Sequence, residues 1–419
     1  MPIQSAQRQL PRAPAGGRPA RGQTEAFEPD LRAAQALVME MMPIAGRSGR
    51  EGRIAQFVVE RLREAGAPSS AIQTDHAHRR SPHGGEVGNL VLSLPGTRPG
   101  PRRLLLAHLD TVPLCEGSRP VVRGNTVVPA DPNTALGADN RAGAAVVLTA
   151  ALEVLRRKLP HPPLVCLWTV QEELGLLGAR HARLGLLKGP RLAFNFDGGS
   201  PENVTVGATG GYRMEIRIWG IASHAGAAPE RGASAIVIAS LAIAQLHRDG
   251  WHGLIVKQGR RGTSNVGVVQ AGEATNVVAP FAEVRAEARS HDPAFRRRIV
   301  RAIDTAFRKA ARAVRNSEGQ GGRAEIDGRL DYEAFRLSAD EPCVQAAEAA
   351  VRAAGGEPCR VVSNGGLDAN WLTRRGIPTV TLGCGQANGH TTAERLELDQ
   401  FRQACRIALR LATATEAAG

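Results

Sequence analysis

The stretch Leu164-Val165-Cys166-Leu167-Trp168-Thr169-Val170-Gln171-Glu172-Glu173-Leu174-Gly175 passes from unbroken apolar sequence into two adjacent glutamates. The apolar part, rich in Val, Leu and Trp, predicts a buried strand. Carboxylates at the end of such a strand are costly unless something pairs with them. Neighbouring side chains on extended backbone point to opposite sides, so Glu172 and Glu173 should have separate tasks. One would hold a metal while the other carries a proton. Taken alone, the pair fits a solvated loop after a strand equally well.

Other strand ends repeat the pattern. Upstream, the apolar run Leu104–Ala107 stops at His108-Leu109-Asp110. His and Asp two apart share a face of an extended chain, which suits an imidazole ligand whose other nitrogen is held by a carboxylate. Downstream, Leu192–Phe196 predicts another buried strand, ending in Asp197-Gly198-Gly199. Between them Gly137-Ala138-Asp139-Asn140 leads into an apolar helix over 144–155, where Asp139 is either a plain helix cap or a ligand. Strands alternating with helices imply an α/β sheet with a crevice at its carboxyl edge, where these polar groups would meet. Further on, Gly389-His390 precedes a final helix over 398–412. Two histidines and the carboxylates make a mixed donor set suited to Zn²⁺, with Co²⁺ or Mn²⁺ possible.

The rest of the chain sets the organisation. At 419 residues two domains are expected. From about residue 210 the texture changes. The alternating run 212–219, a loop holding Ser223-His224-Ala225, a helix over 233–246, strands over 265–270 and 281–289 and a basic amphipathic helix over 293–315 form an α+β insertion. Gly319–Gly322 is its expected return linker. The net charge of +13 comes in part from an N-terminal Arg/Pro-rich stretch and from the outer face of the basic helix. No nucleic-acid-binding signature accompanies it, so no nucleic-acid partner is expected. No apolar run reaches membrane-span length, and no signal-peptide pattern is present, so no membrane association is expected. Six scattered cysteines without a CxxC pair fit a reducing cytoplasm.

Seven motifs in order carry a resemblance. They are Ala107-His108-Leu109-Asp110-Thr111-Val112-Pro113, Gly137-Ala138-Asp139-Asn140-Arg141-Ala142-Gly143, Glu172-Glu173-Leu174-Gly175, Asp197-Gly198-Gly199, Ala222-Ser223-His224-Ala225-Gly226, Gly365-Gly366-Leu367-Asp368 and Gly389-His390. The sequence resembles the co-catalytic di-zinc exopeptidases and amidohydrolases that include peptidase T, bacterial dipeptidases, glutamate carboxypeptidase, acetylornithine deacetylase and aminoacylase. It is most similar to the peptidase T-like subgroup.

The resemblance implies an α/β catalytic domain of zinc-exopeptidase type with a mixed central sheet, over 29–208 and 323–419. Residues 1–28 would be a disordered tail. Residues 209–322 would be an inserted ferredoxin-like lid or dimerisation domain. Two Zn²⁺ per chain are implied. Asp139 would bridge them, His108 and Asp197 would complete one site, and Glu173 and His390 the other. Asp110 would orient His108, and Glu172 would be general base for a bridging water. The Asp139–Asn140 bond would be cis. Asn140 departs from the aspartate many members carry, removing a negative charge but no ligand. His224 matches a histidine that reaches the scissile carbonyl across a dimer interface. Arg289 and Asn276 match positions linked to the substrate carboxylate or the domain interface, an ordinary surface ion pair being the alternative for Arg289. The implied function is cleavage of short peptides by a cytoplasmic aminopeptidase or tripeptidase, active as a homodimer. An aspartate at 197 accompanies aminopeptidases, and a glutamate there accompanies carboxypeptidases and deacylases. An N-acyl amino acid deacylase or carboxypeptidase is the alternative within the family, and a non-catalytic binding protein the alternative outside it.

Overall fold

A computed structural model describes residues 27–414. It divides into two compact units, one of residues up to 207 together with 336 onward, the other of residues 208–335. The N-terminal tail expected over 1–28 lies outside the described residues except for Phe27 and Glu28. Glu28 is engaged by Arg406 at 2.9 Å and Arg410 at 3.0 Å on the last helix.

The first unit is built on a mixed sheet, nine-stranded among the described residues. Its centre consists of Leu164–Thr169, Arg103–His108, Leu192–Phe196 and Thr379–Leu382, side by side and parallel. Antiparallel strands flank them: Leu90–Leu94 pairs with Leu164–Thr169, and Asn203–Ala208 with Thr379–Leu382. Central parallel strands are covered on both faces. That is why 164–169 and 192–196 are apolar but for Thr169 and Asn195 and buried at every position. Parallel neighbours also place their carboxyl ends along one edge, so His108 and Thr169 lie opposite each other in the ladder.

The helix Ala138–Arg157 packs under this sheet, with Ala142–Ala151 buried without a break. Small residues at its start let it approach closely, and the Trp168 indole donates to the Ala144 carbonyl at 3.2 Å. Regular helical geometry begins only after Asp139 and Asn140, whose backbone is non-helical and whose peptide bond is cis, as the family resemblance implied.

A small four-stranded sheet occupies part of the segment 114–133, which has little periodicity in the sequence. It joins the hairpin Pro120–Arg123/Thr126–Pro129 to a second hairpin, Gln386–Ala387/Arg395–Glu397. The first hairpin has a two-residue Gly124-Asn125 turn between valine pairs, a recognisable hairpin signal. The second presents His390 on its loop.

The second unit is a five-stranded antiparallel sheet ordered Gly253–Lys257, Arg260–Ala271, Phe281–Ser290, Gly210–Trp219, Arg323–Tyr332. The helices Ala235–Arg248 and Pro293–Ala313 share one core with it, in which Ile216, Ile218, Ile238, Ile299, Ile303 and Phe307 are buried. This is the expected ferredoxin-like plan with one added strand. Its C-terminal boundary corrects the sequence expectation of 322. Arg323–Tyr332 pairs with Gly210–Trp219 along nearly its whole length, so the insertion continues to 335. Gly328 hides this strand from a periodicity reading. Tyr212 covers that position so closely that a Cβ there would lie 2.6 Å from its ring.

Candidate active site

Asp110, Glu172 and Asp197 follow the carboxyl ends of three neighbouring central strands, and His108 is the last residue of one of them. Gln171 turns the chain after Thr169 with φ of 54°, and this turn is fastened at several points. Its N–H donates to Glu51 Oε1 at 3.0 Å, and its side chain bonds Ser81 and the Gly84 carbonyl. The two residues that follow are held by one carboxylate. Asp110 Oδ1 accepts the Glu172 N–H at 2.9 Å and Oδ2 the Glu173 N–H at 3.1 Å. Ser48 donates to the same Oδ2 at 2.6 Å.

Asp139 stands at the centre of the cluster. Its Oδ1 is 3.3 Å from His108 Nε2, and its Oδ2 is 3.3 Å from His390 Nε2. On the first side Asp197 Oδ2 lies 4.0 Å from His108 Nε2. On the second, Glu173 Oε1 lies 2.7 Å from His390 Nε2. His108, Asp139 and Glu173 offer ligand atoms within 4.8 Å of one another, as do His108, Glu172 and Asp197. Of the seven residues singled out from the sequence for this centre, the six expected as ligands or base therefore converge. The seventh, Asp110, stands behind His108, whose Nδ1 is 3.1 Å from the Asp110 carbonyl oxygen and 3.4 Å from its carboxylate. The carbonyl is the nearer partner, and the carboxylate is spent mainly on the two glutamate N–H groups.

Charge in this cluster is out of balance. Burial, reinforced by the neighbouring Asp139, pushes the Asp197 carboxyl up to about 8. Burial also raises Glu172 far above the usual carboxylate range and raises Glu173. Hydrogen bonds with Asp139 and Glu173 push His390 up to about 10. Burial would raise Asp139 too, but its bonds with His108 and His390 outweigh it and hold the group low. Carboxylates kept from ionising by one another and by burial call for a countercharge. The donor set of imidazole nitrogen and carboxylate oxygen suits a divalent transition metal, so the residues present fit such an ion.

Asn140 occupies the position where an aspartate was noted as the alternative. Its amide donates to the Phe196 carbonyl at 2.8 Å, next to Asp197, and its oxygen accepts from Gly143 N–H and Gln386. A carboxylate could not make the first of these bonds.

The remaining expected residues belong to the second unit. His224 is exposed, and its Nδ1 accepts the N–H groups of Gly226 at 3.2 Å and Ala227 at 3.1 Å. Two donors aimed at Nδ1 leave the ring proton on Nε2. Arg289 is bound through Nε and Nη2 to Glu287, each at 3.0 Å, which is the ion-pair alternative. Asn276 is exposed, and its carbonyl accepts the Ala225 N–H, tying its loop to that of His224.

Several residues around the cluster escaped sequence reasoning. Ser48, Glu51 and Glu394 act through hydrogen bonds to groups far away in sequence, Ser48 to the Asp110 carboxylate and the two glutamates to backbone N–H groups, which leaves no local pattern. Arg141 is fully buried and holds the Ile44 carbonyl at 3.1 Å, fixing the loop that delivers Ser48. Asp368, quoted within a motif but given no role, is buried and accepts from Thr169 Oγ1.

Known proteins resemble the chain along most of its length. The profile of Peptidase family M20/M25/M40 matches residues 104–414. The uncharacterized protein YqjE of Bacillus subtilis (strain 168) is 30% identical over 364 residues, covering 87% of this chain and 93% of YqjE. A tripeptidase from Staphylococcus aureus subsp. aureus mu50 superposes with a TM-score of 0.81 at 28% identity, covering 92% of this chain and 98% of that one. The aminopeptidase PepT from Bacillus cereus ATCC 10987 gives 0.76 at 28% identity, with the same coverages.

Proposed function

The chain belongs to peptidase family M20/M25/M40 and is a metal-dependent peptidase, and from that premise we propose that it is a two-zinc aminopeptidase acting on short peptides with a free amino terminus. The observation that carries the two-ion reading is the division of Asp139, whose two oxygens face different histidines at 3.3 Å each. His108 and Asp197 would share one ion with it, and Glu173 and His390 the other, with Co²⁺ or Mn²⁺ as substitutes for Zn²⁺. The aspartate at 197 and the tripeptidase and aminopeptidase activities named for the two structural relatives support the substrate class.

Bound there, the ions would supply Lewis acidity, lowering the pKa of a water and polarising the scissile carbonyl. The protein's own groups do the rest. Glu172, buried beside His108 and Asp197 and raised by that burial well above the usual carboxylate range, takes the water proton and returns it to the leaving amine. Asp110 holds the backbone of both glutamates, so base and ligand keep a fixed spacing. His224, with its proton on Nε2, is a ready donor to a developing oxyanion. Arg289 and Asn276 are proposed contacts for the substrate carboxylate, Arg289 having first to exchange Glu287 for it.

A substrate panel tests the reading. With Zn²⁺, Co²⁺ or Mn²⁺ supplied, free tripeptides should be hydrolysed and the same peptides N-acetylated should resist. Preference for N-acyl amino acids would move the protein to the deacylase branch, and silence on every substrate with metal bound would favour a binding role.

We further propose a homodimer through the inserted unit. Gly253–Lys257 is the edge strand of its sheet, with Leu254 and Val256 exposed at 59% and 64%, and Ile236, Val237 and Leu241 line an exposed face of the first helix of that unit. Apolar strand edges invite pairing with an identical edge about a two-fold axis. Light scattering should give twice the chain mass, and Val256→Lys should shift it toward the monomer. A monomeric wild type would refute the dimer. Scattered cysteines, none of them disulfide-bonded among the described residues, support a cytoplasmic site of action.

A further inference from the structure

The helix that begins beside Asp139 lacks an ordinary cap. Gly137 stands at its N-cap position with no side chain to offer, yet the first N–H groups of a helix need acceptors from outside it. Glu394 supplies them from the far end of the chain. Its Oε2 accepts the Gly137 N–H and its Oε1 the Asp139 N–H, each at 2.8 Å, and the residue is 1% exposed. A carboxylate at this helix end is electrostatically favourable. Both oxygens are occupied, so the contact fixes orientation as well as distance.

Glu394 also closes the loop that carries His390. The loop runs between the paired strands Gln386–Ala387 and Arg395–Glu397. It is tightly turned: Asn388 and His390 have φ of 56° and 64°, and the Glu394 N–H returns to the Thr391 carbonyl at 3.1 Å. The loop backbone lies against Asp139 itself. A Cβ on Gly389 would be 2.9 Å from Asp139 Oδ2. The His390 side chain is half exposed, so packing around the ring does little to hold it. Its position relative to Asp139 therefore depends on how the loop base is tied to the helix start; Gln386 makes one tie through Asn140 at 2.6 Å, and Glu394 makes the tie to the Asp139 backbone itself.

We propose that Glu394 is a positioning residue for one of the two metal subsites, holding the Asp139 backbone and the His390 loop in a single frame so that Asp139 Oδ2, His390 Nε2 and Glu173 Oε1 converge. The proposal rests on the two-ion reading above. Glu394 offers no ligand atom of its own, since both its oxygens are taken by backbone N–H groups, and its effect falls mainly on the subsite containing His390, because Asp139 serves both subsites but the hairpin loop serves only that one. The His108–Asp197 side is held independently by the central strands.

The test is titration of metal-stripped, full-length protein with Zn²⁺ alone, followed by calorimetry and chelator competition, for wild type, Glu394→Ala, Glu394→Gln and His390→Ala. Glutamine keeps the size of the side chain but turns an NH₂ toward one of the two N–H donors, so it should behave like alanine. Both Glu394 variants should weaken one binding step by roughly 10–100-fold while the other changes by less than about threefold, in the range seen when a group supporting a metal ligand is removed. The weakened step should be the one that His390→Ala abolishes. Thermal unfolding in chelator separates this from general damage, because Glu394→Gln should keep a cooperative transition. If Glu394→Ala does not fold, Glu394→Gln decides. A Glu394→Gln protein that takes up two ions as the wild type does, or one in which both steps weaken together, overturns the proposal. Wild type that binds fewer than two ions overturns the two-ion reading and this proposal with it. Two ions in the wild type with an unaltered variant refutes the positioning role alone.

Discussion

Glu172→Ala is expected to take up its metal normally and to lose turnover by roughly 10²–10⁴-fold, the usual contribution of a positioned general base. Glu172 sits among His108 and Asp197, and burial raises its carboxyl well above the ordinary range, which favours a group that must accept and then surrender a proton near neutral pH. The contrast is with its neighbour. Glu173 Oε1 lies 2.7 Å from His390 Nε2, so Glu173→Ala should lose bound metal, and its activity should fall as a consequence. Metal analysis beside kcat at saturating peptide separates the two variants. Wild-type turnover in Glu172→Ala would end the assignment of the base, and metal loss in that variant would make Glu172 a ligand.

Removing the metal should produce the second large effect, a protein whose thermal stability falls as pH rises. Asp197 moves from 3.8 to about 8, and His390 from 6.5 to about 10. Glu172 and Glu173 shift upward as well. In each case the folded state holds its proton more tightly than the unfolded state. The stabilisation is complete below the unfolded pKa and is lost as pH rises through the folded one. Asp139 and Asp110 are shifted downward, so their opposing contribution changes only near and below the ordinary carboxylate range. In chelator, Tm should therefore decline from about pH 5 to about pH 9. With Zn²⁺ present the deprotonated ligands are the bound form, so the decline should flatten and the stabilisation by metal should grow with pH. Calorimetry across that range with and without Zn²⁺ reads both curves. A chelated protein whose Tm is level or rises over the interval would contradict the charge imbalance.

The residues that converge at the centre were legible because each interrupts something. Glu172, Asp197 and His108 end apolar runs, and a buried strand that stops at a charged or ligating group demands an explanation. Asp139 and His390 were legible only through the family motifs, since a helix cap and a loop histidine have ordinary readings of their own. Glu394 and Glu51 were not legible as participants. They accept hydrogen bonds from Gly137, Asp139 and Gln171, backbone groups far away in sequence, and such bonds impose no spacing on side chains. In the inserted unit the return strand was missed because Gly328 reads as a breaker where it is a space filled by Tyr212. Gly319–Gly322, expected to be the linker out of the unit, is the turn leading into that strand.

The centre draws its parts from strand ends near residues 108, 172 and 197, a helix start at 139 and a hairpin loop at 390. No contiguous piece of the chain contains a complete set. On the two-ion reading, a growing polypeptide therefore cannot complete the second subsite until the hairpin carrying His390 has emerged and docked. Such long-range closure is characteristically slow. Metal content is then a measure of finished folding. Chains arrested before that hairpin should be poor in metal and silent toward peptides, so a hydrolase of this kind cannot act on its surroundings while it is still being made.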